Sequence, residues 1–160
     1  MLQGLTADQI GFVVVGGVAA AAHGSTLVTN DLDICYDTTE DNVTRLARRL
    51  AAWQAYPRGI EPGLPFFMDA RTFRTTPSMT LQTSEGALDV LDRIEGVGTY
   101  VDLLRISDRV EALGTSFLAL GLPALIRAKR AARRPKDLAH LPELEALLAL
   151  STAGKKRAPS

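Results

Sequence analysis

Asp31 and Asp33 stand one residue apart in the stretch D-L-D-I-C-Y, where acidic and apolar residues alternate. On an extended strand, side chains at i and i+2 share a face, so both carboxylates point the same way, roughly 7 Å apart along the chain. Such a pair repels itself and is costly to bury without a counter-charge. A divalent cation meets both demands, and carboxylate oxygens suit Mg²⁺. Gly16 and Gly17 lie upstream with thirteen residues between them and Asp31, directly after the β-branched run Phe12-Val13-Val14-Val15. A glycine pair at a strand-to-helix turn lets backbone N–H groups approach a phosphate closely, and a helix N-terminus adds partial positive charge. Metal-binding carboxylates beside a phosphate cradle make a site for a nucleoside triphosphate with its metal. A bare D-x-D is common on solvated strands. Here the apolar Leu32, Ile34 and Tyr36 on the opposite face, and the glycine pair upstream, weigh against that reading.

The elements that must position these residues follow from pattern. Residues 3–10 read as a short helix with Thr6 as its candidate N-cap. Phe12 to Val15 reads as a buried strand. The alanine-rich stretch Val18 to His23 suits a helix packed closely on a sheet, stopped by Gly24. Asp31 to Tyr36 is a strand. Thr38 or Thr39 caps a helix running to about Gln54, with Leu46, Leu50 and Trp53 on one face and Arg45, Arg48 and Arg49 elsewhere. Residues 56–78 hold four of the eight prolines (Pro57, Pro62, Pro65, Pro77) and read as a long loop with one short strand at Phe66–Met68. The Phe66-Phe67 pair reads as core. Met79–Thr83 and Ala87–Leu91 flank Ser84-Glu85-Gly86, a hairpin signal. Arg109–Leu113 and Ser116–Leu120 form two strands around Gly114. Pro123 opens a helix, Pro135 breaks it, and a second helix runs from about Lys136 to Leu150. The predicted class is α/β (α+β), a mixed β-sheet flanked by helices with a C-terminal helical segment. The expected division is a core at 1–120, a helical appendage packed on it at 121–150 and a flexible tail at 151–160.

The stretch V-V-V-G-G-V-A-A-A-A-H-G-S from Val13 to Ser25, followed by T-N-D-L-D-I from Thr29 to Ile34, resembles the signature of the minimal nucleotidyltransferase superfamily. That is the fold of the DNA polymerase beta palm and of kanamycin nucleotidyltransferase. More narrowly, the chain is similar to the AbiEii/MenT-like nucleotidyltransferases, known as toxins of toxin–antitoxin pairs. The resemblance covers residues 12–37, extends to 79–92 and 122–146, and is absent from 55–78. It implies a nucleotidyltransferase core and a third carboxylate on a neighbouring strand. Asp89, in G-A-L-D-V-L, is the best match, since the competitor Asp92 lies at the opposite parity. In the implied two-metal scheme Asp31 and Asp33 hold both Mg²⁺ ions. Asp89 ligates the catalytic ion and helps activate an acceptor hydroxyl, which attacks the α-phosphate of an NTP in line as pyrophosphate leaves. The resemblance also implies a lysine on a C-terminal helix that contacts the triphosphate, with an acidic residue after a basic segment; Lys129 and Asp137 match. Ser25 is a candidate phosphate contact, with Gly16 and Gly17. Relatives often carry arginine two residues before the threonine of T-x-D-x-D. Here Leu27 stands there, and Arg71 or Arg74 are candidates to replace it. The implied partners are an NTP, the 3′ end of tRNA as acceptor and a cognate antitoxin protein.

The chain has 160 residues and a formal net charge of zero, which excludes a uniformly basic nucleic-acid coat. The zero hides an asymmetry. Residues 127–160 hold nine basic residues against three acidic ones, and all four lysines are among them. Six of the basic residues lie between 127 and 136. Lys129 and Arg133 are i and i+4 and so share a face if the helix continues. This segment reads as a local anion site for a triphosphate and an RNA backbone. His23 reads as structural. The lone Cys35 reads as a buried thiol, excludes a disulfide framework and fits a reducing cytoplasm. The longest apolar run, Phe12 to Ala22, is too short to span a bilayer, and the N-terminus lacks the early Lys or Arg of a secretory signal. Three readings stay open from the residues: transfer of NMP to tRNA, transfer to a protein or small molecule, and a non-catalytic binding module of the same fold.

Overall fold

The β-branched run becomes strand β1 (Phe12–Val15), with all four side chains buried. The computed structural model describes residues 1–61 and 63–157, the last three by their backbone alone. In chain order the other elements are helix α1 (Leu2–Ala7), then after β1 helix α2 (Gly16–Ala22), strand β2 (Asp31–Tyr36) and helix α3 (Glu40–Ala52). Next come β3 (Tyr56–Pro57), α4 (Ala70–Thr75), β4 (Met79–Thr83), β5 (Gly86–Leu91), β6 (Arg93–Ile94), β7 (Gly98–Thr99) and α5 (Tyr100–Leu104). The chain continues through β8 (Ser107–Ala112), β9 (Thr115–Leu120), α6 (Leu122–Ala132) and α7 (Pro135–Arg157).

Among the described residues, seven strands form one sheet in the order β3-β4-β5-β2-β1-β9-β8. It is mixed: β2 runs antiparallel to β1 and parallel to β5, and β1 runs parallel to β9. Central strands buried on both sides read as near-continuous apolar runs, which explains β1. On β2 the alternation is clean at its start, with Leu32 and Ile34 buried and Asp31 and Asp33 half-buried. Leu81, Leu88 and Val90 of β4 and β5 are fully buried beside them, and each such side chain contributes about 1.5–3 kcal/mol. The fold class expected from the sequence is the one observed. No helix among the described residues is long and apolar enough to cross a membrane.

Some local expectations are corrected. Thr6 does not cap α1; it lies inside the helix and donates to the Leu2 carbonyl at 2.9 Å, while Met1 occupies the cap position. Residues 66–68 form no strand. The Pro-rich stretch instead contributes the edge strand β3 and the helix α4, which starts because the Asp69 carboxylate accepts from the Arg71 and Thr72 amides. Phe67 is 80 % exposed rather than core, and only Phe66 packs, edge-on, against Tyr56. The short β6, β7 and α5 were not expected; α5 opens with a reciprocal Thr99–Asp102 capping box. The final helix reaches Arg157 instead of ending near Leu150. Pro62, Pro159 and the side chains of Lys155, Lys156 and Arg157 lie outside the described residues. Gly24 ends α2 as expected, at φ +97.

One buried polar side chain ties the entry of β1 to the exit of β2. Asn42 on α3 accepts from the Gly11 amide at 2.6 Å and donates to the carbonyls of Gly11 and Asp37. It thereby satisfies backbone groups where both strands meet α3. Replacing it with Ala removes the partner of the Gly11 amide and of the Asp37 carbonyl, while the Gly11 carbonyl keeps only the Asp37 amide. We expect Asn42→Ala to lower unfolding stability by about 1–3 kcal/mol, read as a shifted urea midpoint at unchanged slope; a variant within 0.3 kcal/mol of wild type, well under that cost, refutes the role.

Candidate active site

Parallel pairing of β2 with β5 sets Asp33 directly opposite Asp89. Antiparallel pairing with β1 sets Asp33 opposite Val15, the last residue before Gly16. Asp31 shares the face by its i, i+2 spacing. One carboxylate oxygen from each of Asp31, Asp33 and Asp89 lies within 4.8 Å of the others. Asp92, at the other parity, is instead hydrogen-bonded to the Ser78 hydroxyl at 2.7 Å. Burial, and secondly the negative charge of Asp31, push the Asp33 carboxyl up to about 6, while the charges of Lys136, Arg134 and Lys129 pull it back.

The glycine pair has a steric reason here. Gly16 sits at φ +61, and a Cβ on it would drive into the Asp33 carboxylate. A Cβ on Gly17 would meet Thr29 Cβ at 2.5 Å. Both glycines line the cavity above the carboxylates. Thr29 also donates to Asp31 Oδ1 at 3.0 Å, which orients that carboxylate.

Sequence reasoning missed Arg58. Its amide donates to the Thr80 carbonyl, and Thr80 lies opposite Asp89. Arg58 therefore extends the row of residues that crosses the sheet through Asp89 and Asp33. Its Nη2 donates to Asp89 Oδ1, and Nη1 lies 3.8 Å from Asp31 Oδ2. Neither Arg71 nor Arg74 lines the cavity. In the sequence Arg58 lies inside a stretch that reads as loop, and no residue pattern marks it.

The opposite wall is cationic. A cavity of about 670 Å³ opens between the carboxylates and the α6–α7 corner, and Lys129, Arg134 and Lys136 line it there. Asp137 is 2 % exposed. It accepts from Lys129 Nζ at 3.0 Å and from Arg134 Nε at 2.5 Å. Burial would raise its pKa, but these two cations outweigh that and hold it below the usual carboxylate range. Asp137 thus acts on the cavity through Lys129 and Arg134. Arg133 does not reach the cavity. It is the left-handed C-cap of α6, at φ 53; its amide still bonds the Lys129 carbonyl, but the chain turns there, and Arg134 rather than Arg133 lines the cavity. Ser25 is not turned to the cavity either: its hydroxyl donates to Glu143 Oε2 on α7, and the Thr26 amide and hydroxyl donate to Glu143 Oε1. Leu27 lines the cavity with an apolar side chain and adds no charge there. His23 is structural, hydrogen-bonded through Nε2 to the Leu120 carbonyl at 2.9 Å. Cys35 is fully buried and its thiol is pushed up to about 12, chiefly by burial.

The donor set fits a divalent cation. It offers only hard carboxylate oxygens, close enough to chelate, and the absent Cβ at Gly16 leaves Asp33 room to point inward. Asp31, Asp33 and Asp89 are the residues that could hold it.

No family model and no curated protein sequence matches the chain. In three dimensions it is similar to the crystal structure of a candidate nucleotidyltransferase from Thermotoga maritima. The match has a TM-score of 0.51 at 17 % identity and covers 94 % of this chain and 88 % of that one. At that identity the likeness is one of fold, and the fold it shares is the mixed sheet with flanking helices that brings the acidic cluster together.

Two predictions follow from the geometry. An Asp with a folded pKa near 6, against an ordinary value near 4 when unfolded, costs nothing below pH 4. It costs up to about 3 kcal/mol once the pH has risen past 6, because the folded state then resists ionisation. We therefore expect Asp33→Asn to stabilise the metal-free protein at pH 7 and to leave it near wild type at pH 4, measured by urea unfolding at both values. A gain of equal size at both pH values contradicts the assignment. Gly16→Ala forces a side chain into a left-handed position against Asp33, so we expect a loss of more than about 1 kcal/mol; unchanged unfolding shows that the turn has room to spare.

Proposed function

We propose that this protein is a divalent-metal-dependent nucleotidyltransferase that moves an NMP from an NTP to a hydroxyl acceptor and releases pyrophosphate. One observation carries the reading: three chelating carboxylates on adjacent strands face three cations across a single cavity. Transfer of a nucleotidyl group needs both halves at once, oxygen donors for metal at the reacting phosphorus and positive charge for the departing phosphates. The shared fold and the sequence resemblance point the same way.

In this reading Asp31 and Asp33 would hold two Mg²⁺ ions, and Asp89 would share in holding the catalytic one. Bound there, Mg²⁺ neutralises charge on the α-phosphate and on the attacking oxygen. Lys129, Arg134 and Lys136 grip the β- and γ-phosphates through charge-assisted hydrogen bonds, and Asp137 keeps the first two aimed. Gly16 and Gly17 give the nucleotide backbone-close passage into the cavity. The acceptor oxygen bonds to the α-phosphorus as the bond to the bridging oxygen breaks. The hydroxyl proton goes to Asp89, and pyrophosphate leaves along the cationic wall. Ser25 and Arg133 have no part in this scheme.

The acceptor we favour is the 3′ end of tRNA. The AbiEii/MenT-like resemblance supports it, as do the exposed cations Arg127 on α6 and Arg133 at its C-cap. The same resemblance supports a toxin role, in the cytoplasm, with a protein antitoxin as partner. The test is incubation with each labelled NTP and total tRNA. Wild type should label tRNA 3′ ends. Asp31→Ala should lose more than the roughly 10–100-fold that a mere outer partner of a metal ligand costs. Equal labelling by both proteins rules out the metal-site assignment. Mg²⁺-dependent NTP binding by calorimetry without any transfer favours a non-catalytic binding module.

A further inference from the structure

We propose that Arg58 is a built-in counter-cation of the carboxylate cluster, so that its guanidinium and the divalent ion compete for Asp89 and Asp31. This rests on the metal-site reading above and adds a residue to it. Arg58 bonds Asp89 directly and lies 3.8 Å from Asp31, two of the three groups that could chelate an ion. A guanidinium stays protonated at any working pH. Within the described residues it is the one cation in salt-bridge range of this cluster. Three carboxylates in a half-buried space need positive charge whether or not metal is present, and Arg58 supplies it in the metal-free chain.

The position is also built to be vacated. Arg58 Nε is buried with no hydrogen-bond partner, so the docked side chain leaves one donor unsatisfied, and withdrawal recovers it. The residue lies at the sheet edge just past the two-residue β3, and Gly59 follows at φ +81 with nothing within 4 Å of its would-be Cβ. Arg58 lines the same cavity, so a guanidinium released by the ion stays near the phosphates. The metal-free cluster thereby keeps one compensating positive charge, and the ion must displace it before it binds.

The test is Mn²⁺ titration of the full chain without nucleotide, by calorimetry and by thermal melting. Arg58→Gln should bind Mn²⁺ about tenfold tighter or more, the scale of one charge-assisted hydrogen bond. Its metal-free melting point should fall, and Mn²⁺ should raise it more than in wild type. Arg93→Gln removes a cavity charge that does not touch the cluster and should change affinity by less than about twofold. Arg58→Lys keeps the charge but loses the fork; it should tighten binding by a smaller factor, and it carries the test if the Gln variant does not fold. Unchanged or weaker Mn²⁺ binding by the Arg58 variants, with binding still abolished in Asp33→Asn, overturns the proposal and leaves the metal site standing. No Mn²⁺ binding by wild type or by either Arg58 variant overturns the metal site itself, and this inference with it.

Discussion

Like charges brought together out of water must be compensated, and the architecture is arranged around that requirement. Asp33 lies where β1, β2 and β5 meet, with Asp89 across one strand boundary and Asp31 two residues back. Each neighbour that makes chelation feasible also makes the empty cluster unfavourable. Burial is the largest part of the difficulty for Asp33 and Asp31 the next. The remedies arrive from three directions: Arg58 from the sheet edge, the Thr29 hydroxyl from the loop before β2, and the α6–α7 cations from across the cavity. Without them the cluster would favour protonation or unfolding over an ionised, ordered site.

The two sides of the cavity are held by different means. The carboxylates are placed by strand register, which is exact to one residue because a slip of one would turn every side chain to the other face. The cations are placed by a buried anion, Asp137, that restrains Lys129 and Arg134 at once. Glu143, farther along α7, clasps Ser25 and Thr26 in the loop leading to β2. The long helix therefore touches both walls, through Asp137 on the cationic side and Glu143 on the loop that leads to β2.

Much of this was legible in the sequence because it is local. Alternation in D-L-D-I-C-Y settles which residues share a face, and the β-branched run before Gly16-Gly17 settles the turn. Asp89 is picked out over Asp92 by parity alone. What escaped reading is what depends on distant partners or on very short elements. Arg58 follows a two-residue edge strand that contains Pro57, too short to show any period. Helix α4 is a six-residue helix started by one carboxylate cap. Ser25 is claimed by Glu143, more than a hundred positions away, so no local pattern could reveal that its hydroxyl was already taken. Arg133 and Arg134 exchange places because α6 ends in a left-handed residue that is not glycine, a stop that carries no residue-type signal.

The parallel pairing of β2 with β5 has a kinetic corollary. Asp89 belongs to a tight hairpin with β4 that can close early, whereas Asp31 and Asp33 belong with β1. The two units meet only through a connection that carries α3, β3 and α4 between them. Contacts of such long sequence separation are among the slow steps of folding, since the entropy of closing the loop comes before any gain. A chain in which the hairpin has formed but not docked holds Asp89 alone and has nothing with which to chelate. The full set of three carboxylates thus assembles only with the native pairing of β2 and β5, because neither unit alone brings Asp89 beside Asp31 and Asp33.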